Sequence, residues 1–370
     1  MIVNKSRLTL FDRLILWLNY AAATTLLIGY LAPVTDPRTV WIIAFFGLAY
    51  PPVLLVNLLF IVYWLFRNKK WALVSLVTIL IGWKALNGNI GFRLPIKTID
   101  HRDSTMLRVM NYNVHDFKKY GAKNDISTKH EILEIITHEQ PDIIGFEEFY
   151  TRKAGQYAMV DSIKGILKTN SLFYSPFQVS SSESLGMAVF SKLPIVANGI
   201  VWLNEKQNLN QCIYIDVNKN GKLFRAYVVH LQSISFEPED YKYLKDVSKK
   251  GKTDMESSRR IGSKLKRAFL RRSEQVAKIK QHMATCPYPY FVMGDFNDTP
   301  SSYAVNEMSK GLKNTFREKG SGLGRTYNGD FPNYQIDYIM VSPQFDVLTY
   351  GVIRKKLSDH YPVYSDLRLK

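Results

Sequence analysis

Cysteine is nearly absent from this chain of 370 residues: Cys212 and Cys286 are the only two. They stand far apart, lack the paired spacing of a metal site, and lie in or beside apolar runs. A disulfide-stapled scaffold is excluded, and buried free thiols are the expectation. Acidic residues are a minority, 32 against 49 lysines and arginines, for a formal net charge of +17 at pH 7. That balance favours anionic partners: nucleic acid, a phospholipid surface or phosphorylated small molecules. No internal repeat or low-complexity segment stands out. The length allows more than one structural unit.

Charge is missing altogether from long stretches before residue 100. Leu14–Ala32 is uncharged and about long enough to cross hydrocarbon as a helix. Val40–Phe66 is longer, also uncharged, and interrupted by Pro51 and Pro52, which a membrane helix tolerates as a kink. Trp71–Trp83 is a shorter third block, with Lys84 able to snorkel from its end. Trp17, Tyr30, Trp41, Tyr63, Trp64, Trp71 and Trp83 lie near the block ends, as in interfacial belts. A cleaved signal peptide and a buried soluble core are the competing readings; the long uncharged runs and weak amphipathic pattern argue against both. The expectation is a transmembrane region over residues 1–102, with spans at about 14–33, 40–66 and 71–86, ending in a linker from Gly88 to Asp103. Lys5, Arg7 and Arg13 before the first span, and Arg67, Lys69 and Lys70 in the second loop, put those segments in the cytoplasm. Three spans would then leave residues 103–370 on the extracytoplasmic side; two would leave them in the cytoplasm.

From residue 103 onward the pattern is that of an ordinary core. Leu107–Asn113 alternates as a strand, with Leu107, Val109 and Asn111 on one side. Thr128 and Glu131 have capping-box spacing before a helix that Pro141 ends. Asp142–Phe146 is a buried strand that delivers Glu147 and Glu148, only one of which can enter a given site. Gly186–Ile195 is a strand closed by a proline turn. Cys212–Val217 and Leu223–Leu231 form a hairpin around Asn218–Gly221, and its second arm carries His230. Glu237–Arg272 is polar and basic, an exposed and partly helical excursion suited to anionic lipid or nucleic acid. A helix over Arg272–Met283 follows.

Tyr290–Met293 is a strand that stops at Gly294, with Asp295 and Asn297 on one side beyond it. A carboxylate and an amide there suit a phosphate beside a hard cation, although these are also ordinary turn residues. Gln335–Val341 is another strand, with Asp337 near its middle. Ser358-Asp359-His360-Tyr361-Pro362 stands near the end. Candidate polar residues thus collect at strand ends, which converge on one edge of a sheet-built site.

Met110-Asn111-Tyr112-Asn113, Pro141 through Glu148, Val229-His230-Leu231-Gln232, Gly294-Asp295-Phe296-Asn297, Ile336-Asp337-Tyr338 and Ser358 through Pro362 together resemble the endonuclease/exonuclease/phosphatase superfamily, of the deoxyribonuclease I type. The resemblance covers roughly residues 105–370. It implies an α/β fold, a four-layered sandwich of two packed mixed β-sheets flanked by helices, here preceded by the helical transmembrane region. It also implies Mg2+-dependent phosphoester hydrolysis, with Mn2+ as an alternative ion. Glu148 would be the main metal carboxylate, helped by Asn113 and Asp359. Asp295 and Asn297 would bind the phosphate and the attacking water, Asp337 would orient His360, and His230 would be the second histidine. Asn111 and Arg272 are candidate substrate contacts. Two departures stand out: Glu147 occupies a position where the family usually has glutamine, and Val228 one where it often has asparagine. The expected activity is that of a membrane-anchored phosphodiesterase or phosphatase acting on a phospholipid head group or on nucleic acid. An extracytoplasmic nuclease and a non-catalytic membrane scaffold are the alternatives.

Overall fold

The computed structural model describes residues 8–94, 102–119, 126–205, 208–251, 253–330 and 332–370. Lys5, Arg7 and residues 95–101 of the expected linker lie outside the described residues, while Gly88 and Asn89 belong to α6 and not to a linker.

The N-terminal region is helical. It comprises α1 (Leu10–Gly29), α2 (Pro37–Val40), α3 (Ile42–Leu48), α4 (Tyr50–Arg67), α5 (Lys69–Ile81) and α6 (Trp83–Asn89), followed by the short strand β1 (Ile90–Gly91). A capping box between Thr9 and Asp12 starts α1, four residues before the uncharged run begins. The second apolar block is broken at Ala49 into α3 and α4, because Pro51 and Pro52 take the first turn of a new helix instead of kinking an old one. The third block bends by 70° between α5 and α6. Among the described residues, α4 is the one helix long and apolar enough to cross a membrane, with the bent α5–α6 pair as a second by the same measure.

These helices are joined by an apolar cluster of Leu26, Tyr50, Leu54, Ile79 and Leu86 and by a buried polar network. Asn19 Nδ2 donates to Ser75 Oγ at 2.6 Å, Ser75 Oγ to Asn57 Oδ1 at 2.8 Å, and Trp64 Nε1 to Asn19 Oδ1 at 3.0 Å. Asn19, Asn57, Ser75 and Trp64 are fully buried, while Leu55, Leu59, Val62, Phe66, Leu73, Leu80 and Ile81 are exposed. Polar residues at its centre and apolar residues on its surface make the bundle partly inside out by the standard of a water-soluble core.

The remaining chain builds two sheets. Its elements are β2 (Met106–Asn113), α7 (Ile126–Glu139), β3 (Ile143–Arg152), α8 (Met159–Leu167), β4 (Ser171–Val179), β5 (Glu183–Ser191), β6 (Ile195–Val201), β7 (Cys212–Lys219), β8 (Lys222–His230), α9 (Pro238–Lys250), α10 (Met255–Ala284), β9 (Tyr290–Asp295), α11 (Tyr303–Ser309), β10 (Lys313–Asn314), α12 (Thr315–Lys319), β11 (Gly322–Leu323), β12 (Asp337–Val341), β13 (Phe345–Val347), β14 (Gly351–Val352) and β15 (Val363–Leu369). One sheet runs β13-β15-β2-β3-β5-β4, with β14 also on β15; the other runs β10-β12-β9-β8-β7-β6. Each is mixed, through the parallel pairs β2–β3 and β8–β9. A third, two-stranded ladder joins β1 to β11 and so ties the helical region to the sheet region.

Side-chain alternation sorts the core into layers. Leu107, Val109, Ile143, Phe224, Val228, Phe291, Met293 and Ile339 fill the space between the sheets. Met110, Ile144 and Phe146 meet α7 and α8 on one outer face, and Tyr227, Val292 and Met340 meet α10 and α11 on the other. The architecture is therefore an α/β sandwich with helices outside both sheets.

Several expected boundaries move. α7 begins by Ile126, so Thr128 is buried in its first turn instead of capping it. β12 starts at Asp337, which puts that carboxylate at the strand's end. The expected helix over 272–283 is the last part of α10, which is 30 residues long. Its buried residues Ile261, Leu265, Phe269, Arg272, Val276, Ile279 and Met283 recur every three or four positions beneath a basic outer face.

Two substitutions test this packing. Arg108 is buried and donates to both carboxylate oxygens of Asp366, at 2.7 and 2.9 Å, and to Glu139 Oε2 at 2.8 Å. Arg108→Ala strands a buried carboxylate and is expected to destabilise the fold by about 3–5 kcal/mol, read from the denaturation midpoint of the purified chain. Gly294 has φ +149°, and an added Cβ would lie 2.0 Å from the Val229 carbonyl oxygen. Gly294→Ala should therefore sharply lower the melting temperature. Gly262→Ala, on the open face of α10 where nothing lies within 4 Å, should hold or raise it.

Candidate active site

The inter-sheet face that is apolar along most of each strand turns polar at one end. On β8, Phe224, Ala226 and Val228 are succeeded in the same parity by His230; on β9, Phe291 and Met293 by Asp295. Register sets them side by side: His230 pairs with Asp295, and Asp295 with Asp337 at the start of β12. Neighbouring strands are about 4.8 Å apart, so three chemically active side chains share one edge. The other sheet contributes Asn113 and Glu147, again register partners.

Asp337 holds His360. The imidazole Nδ1 lies 3.1 and 3.0 Å from the two Asp337 oxygens, which makes Nδ1 the protonated nitrogen and turns Nε2 toward Asp295 Oδ2 at 3.6 Å. His230 Nε2 lies 3.6 Å from the same oxygen. Asn113 Nδ2 donates to it at 3.3 Å and Asn297 Nδ2 at 3.2 Å. Asn297 has φ +53°, and its amide also donates to the Leu231 carbonyl at 3.0 Å. The backbone N–H groups of Ile336 and Asp337 both donate to Thr326 Oγ1, and the Tyr327 ring lies edge-on against His360.

Glu147 and Glu148 take opposite directions. Between Phe146 and Phe149 the register with β5 slips by one residue, and Glu148 has φ +51°. That bulge re-aims Glu148 into the cleft. Glu147 is fully buried and accepts from Asn111 Nδ2 at 3.0 Å. Asn111 thus touches Glu147, in the wall of the site. Arg272 is also buried: it ion-pairs with Asp298 at 3.0 Å and donates to the Asn297 carbonyl, bracing the loop after β9 from beneath.

Asn113, Glu148, His230, Asp295, Asn297, Asp359, His360 and Arg272 all line one cleft of about 200 Å³. Asp337 stands behind His360. His115, two residues beyond Asn113, is not among the residues expected in the site. Its Nδ1 lies 3.4 Å from Glu148 Oε2 and 3.8 Å from Asp359 Oδ1, between the two carboxylates. Tyr327 and an apolar wall contributed in part by Leu48 of α3 are not expected there from sequence either.

The electrostatics are those of crowded carboxylates. Burial, together with the charges of Asp295 and Asp337, pushes Glu147 well above the usual carboxyl range. Burial also raises Asp295. Burial opposes a charged His360, but Asp337 and Asp295 outweigh it and hold the imidazole well above its ordinary value. Burial lowers His230. For Glu148 burial favours the neutral acid, yet the His115 bond and the neighbouring histidines hold it down at about 2.

This donor set fits a divalent cation. Glu148, Asp359 and Asn113 offer oxygens to the open part of the cleft, the ligands a hard cation takes while keeping several waters. One ligand atom each from Asp295, Asp337 and His360 also lie within 4.8 Å of one another, an acidic cluster that could hold a metal.

A sequence model of the endonuclease/exonuclease/phosphatase family matches residues 110–360. The chain belongs to this family. Its members are phosphoesterase and nuclease hydrolases, typically dependent on a divalent metal. A domain of unknown function (DUF8431) matches residues 12–89. The sequence has no significant match among curated proteins. Solved structures share the fold. A family protein from Beutenbergia cavernae is 20% identical, with 72% of each chain covered and a TM-score of 0.52. One from Bacteroides vulgatus is 17% identical over 72% of this chain and 100% of that one, TM-score 0.52. The catalytic domain of human nocturnin, with a bound sulfate anion, is 18% identical over 72% of this chain and 94% of that one, TM-score 0.50.

Proposed function

We propose that this family member is a membrane-anchored, Mg2+-dependent phosphoesterase. The observation that carries the reading is the His360–Asp337 pair, whose Nε2 faces Asp295 in the same cleft as Glu148, Asn113 and Asp359. Bound at Glu148, Asn113 and Asp359, the ion would neutralise the charge that builds on the phosphoryl oxygens. Asp337 fixes the tautomer of His360, and the charge of a bound ion would oppose the carboxylates that keep the ring protonated, so that a neutral Nε2 could take a proton from the attacking water. Asn297, with its amide hydrogens committed to Asp295 and Leu231, keeps Asp295 turned toward that water. His230 Nε2 lies 3.6 Å from Asp295 Oδ2 and, once protonated, would suit proton delivery to the leaving alkoxide.

Membrane anchoring rests on the partly inside-out helical bundle. The three helices α1, α4 and α5 alternate in direction, and α1 and α4, with 20 and 18 residues, are about 30 and 27 Å long, near the thickness of a bilayer's hydrocarbon. The Arg67–Asp12 ion pair marks one end, while Asn89 bonds Ser301 of the sheet region at the other. If α1, α4 and the α5–α6 pair all cross, with the basic second loop in the cytoplasm, the catalytic domain of residues 103–370 would face the extracytoplasmic side; with α4 and the α5–α6 pair alone, and the N-terminus in the cytoplasm, it would face the cytoplasm.

The test is hydrolysis of bis-p-nitrophenyl phosphate by the full chain in detergent, with Mg2+ and with chelator. Metal-dependent release of nitrophenolate is expected; equal rates with and without metal would sink the reading.

A further inference from the structure

The catalytic cleft has two chemically different ends. One carries Glu148, Asn113, Asp359 and His360. The other is walled by Leu48, Ile234, Phe236, Leu265 and Phe269. The wall comes from separate parts of the chain: α3, the segment after β8, and α10. Those parts pack as one apolar cluster that also includes Phe45, whose ring meets Phe269 edge-on at 5.3 Å. Leu48, Ile234 and Phe236 are only half-buried, so apolar surface reaches the cleft itself. A small sugar phosphate gives such a wall nothing to bind; a base could stack on one ring of it, whereas a hydrocarbon chain could run along its whole length.

The wall runs on into the helical region. α3 contributes Leu48 to the wall, and Val40, Trp41 and Ile42 are exposed at its start. Lys266 of α10 sits 4.4 Å above the Trp41 ring. Further cations of α9, Lys242, Lys245 and Lys249, line a second cavity that shares Tyr241 and Pro332 with the cleft, while Lys250 is ion-paired with Asp246. Apolar side chains below a row of cations are the order met on crossing from a bilayer's hydrocarbon to its anionic head groups.

Resting on the phosphoesterase reading, we propose that the substrate is a membrane-borne amphiphile: a phosphate ester whose head group enters the polar end of the cleft and whose hydrocarbon chain lies along Leu48, Ile234, Phe236, Leu265 and Phe269. The helical region would then do more than tether. It supplies one wall of the substrate site and sets the cleft mouth at the bilayer surface.

The test uses the full chain in detergent and a series of alkyl p-nitrophenyl phosphate diesters from ethyl to octyl, kept below their aggregation limits. The expected result is a kcat/KM that rises by roughly tenfold or more along the series, as methylenes leave water for the apolar wall. Leu48→Ser and, independently, Phe236→Ala should reduce the octyl rate more than the ethyl rate. A flat series from an active enzyme would overturn the amphiphile proposal and leave the phosphoesterase reading standing. So would single-stranded oligonucleotide cleaved faster than the octyl diester, or both variants reducing all esters equally. No metal-dependent turnover of any ester would instead overturn the underlying reading.

Discussion

His360→Ala should lower kcat by about a hundredfold or more while leaving the melting temperature and metal binding close to those of the parent chain. The ring is almost fully buried, but its role is local: it bonds Asp337 and faces Asp295. Asp337→Asn should approach that loss, because an amide at this position no longer selects the tautomer with a free Nε2. The two act as one unit, so the double variant should be scarcely slower than His360→Ala alone. Measuring kcat for the three variants tests the arrangement. Multiplicative losses in the double variant would mean that Asp337 acts on its own, as a metal ligand, for instance, and not through the imidazole.

Glu148→Gln has the second large expected effect. Its carboxylate is the partly open one in the cleft, opposite Asp359 across His115. Removing its charge should raise the Mg2+ concentration needed for half-maximal activity by about tenfold or more. Direct Mg2+ titration by calorimetry should show the same loss without turnover. Glu147→Gln is the control that separates adjacent residues. Glu147 is wholly buried beside Asp295 and Asp337, where a second charge is repelled. A neutral glutamine keeps the bond to Asn111 and relieves that repulsion, so metal affinity and stability should hold. If Glu147→Gln weakens Mg2+ binding and Glu148→Gln does not, the bulge in β3 has been assigned the wrong carboxylate.

Much of the site was legible because strand alternation is local. The run Leu107, Val109, Asn111 already separates the inter-sheet face from the helix face, and both apolar residues lie between the sheets. The ends of the apolar runs showed where polarity begins. Register was not legible: nothing near His230 or Asp337 in the sequence says that each pairs with Asp295. The choice between Glu147 and Glu148 depended on a one-residue bulge and a positive φ, which two identical adjacent residues cannot announce. α10 was read short because its first half is rich in lysine and arginine, and the apolar stripe of Ile261, Leu265 and Phe269 is thin enough to be lost among them. In the N-terminal region hydropathy located the apolar blocks but not their breaks. It also passed over Asn19, Asn57 and Ser75, single polar residues whose meaning comes only from meeting one another.

The central claim is that water, deprotonated at His360, attacks phosphorus in a metal-dependent reaction. Turnover of a phosphodiester in heavy-oxygen water, followed by mass spectrometry of both products, addresses it most directly. The account predicts one heavy oxygen in the phosphate-bearing product, none in the alcohol, and loss of incorporation in His360→Ala or with chelator. Label in the alcohol, or label in the phosphate product that His360→Ala leaves undiminished, would contradict it.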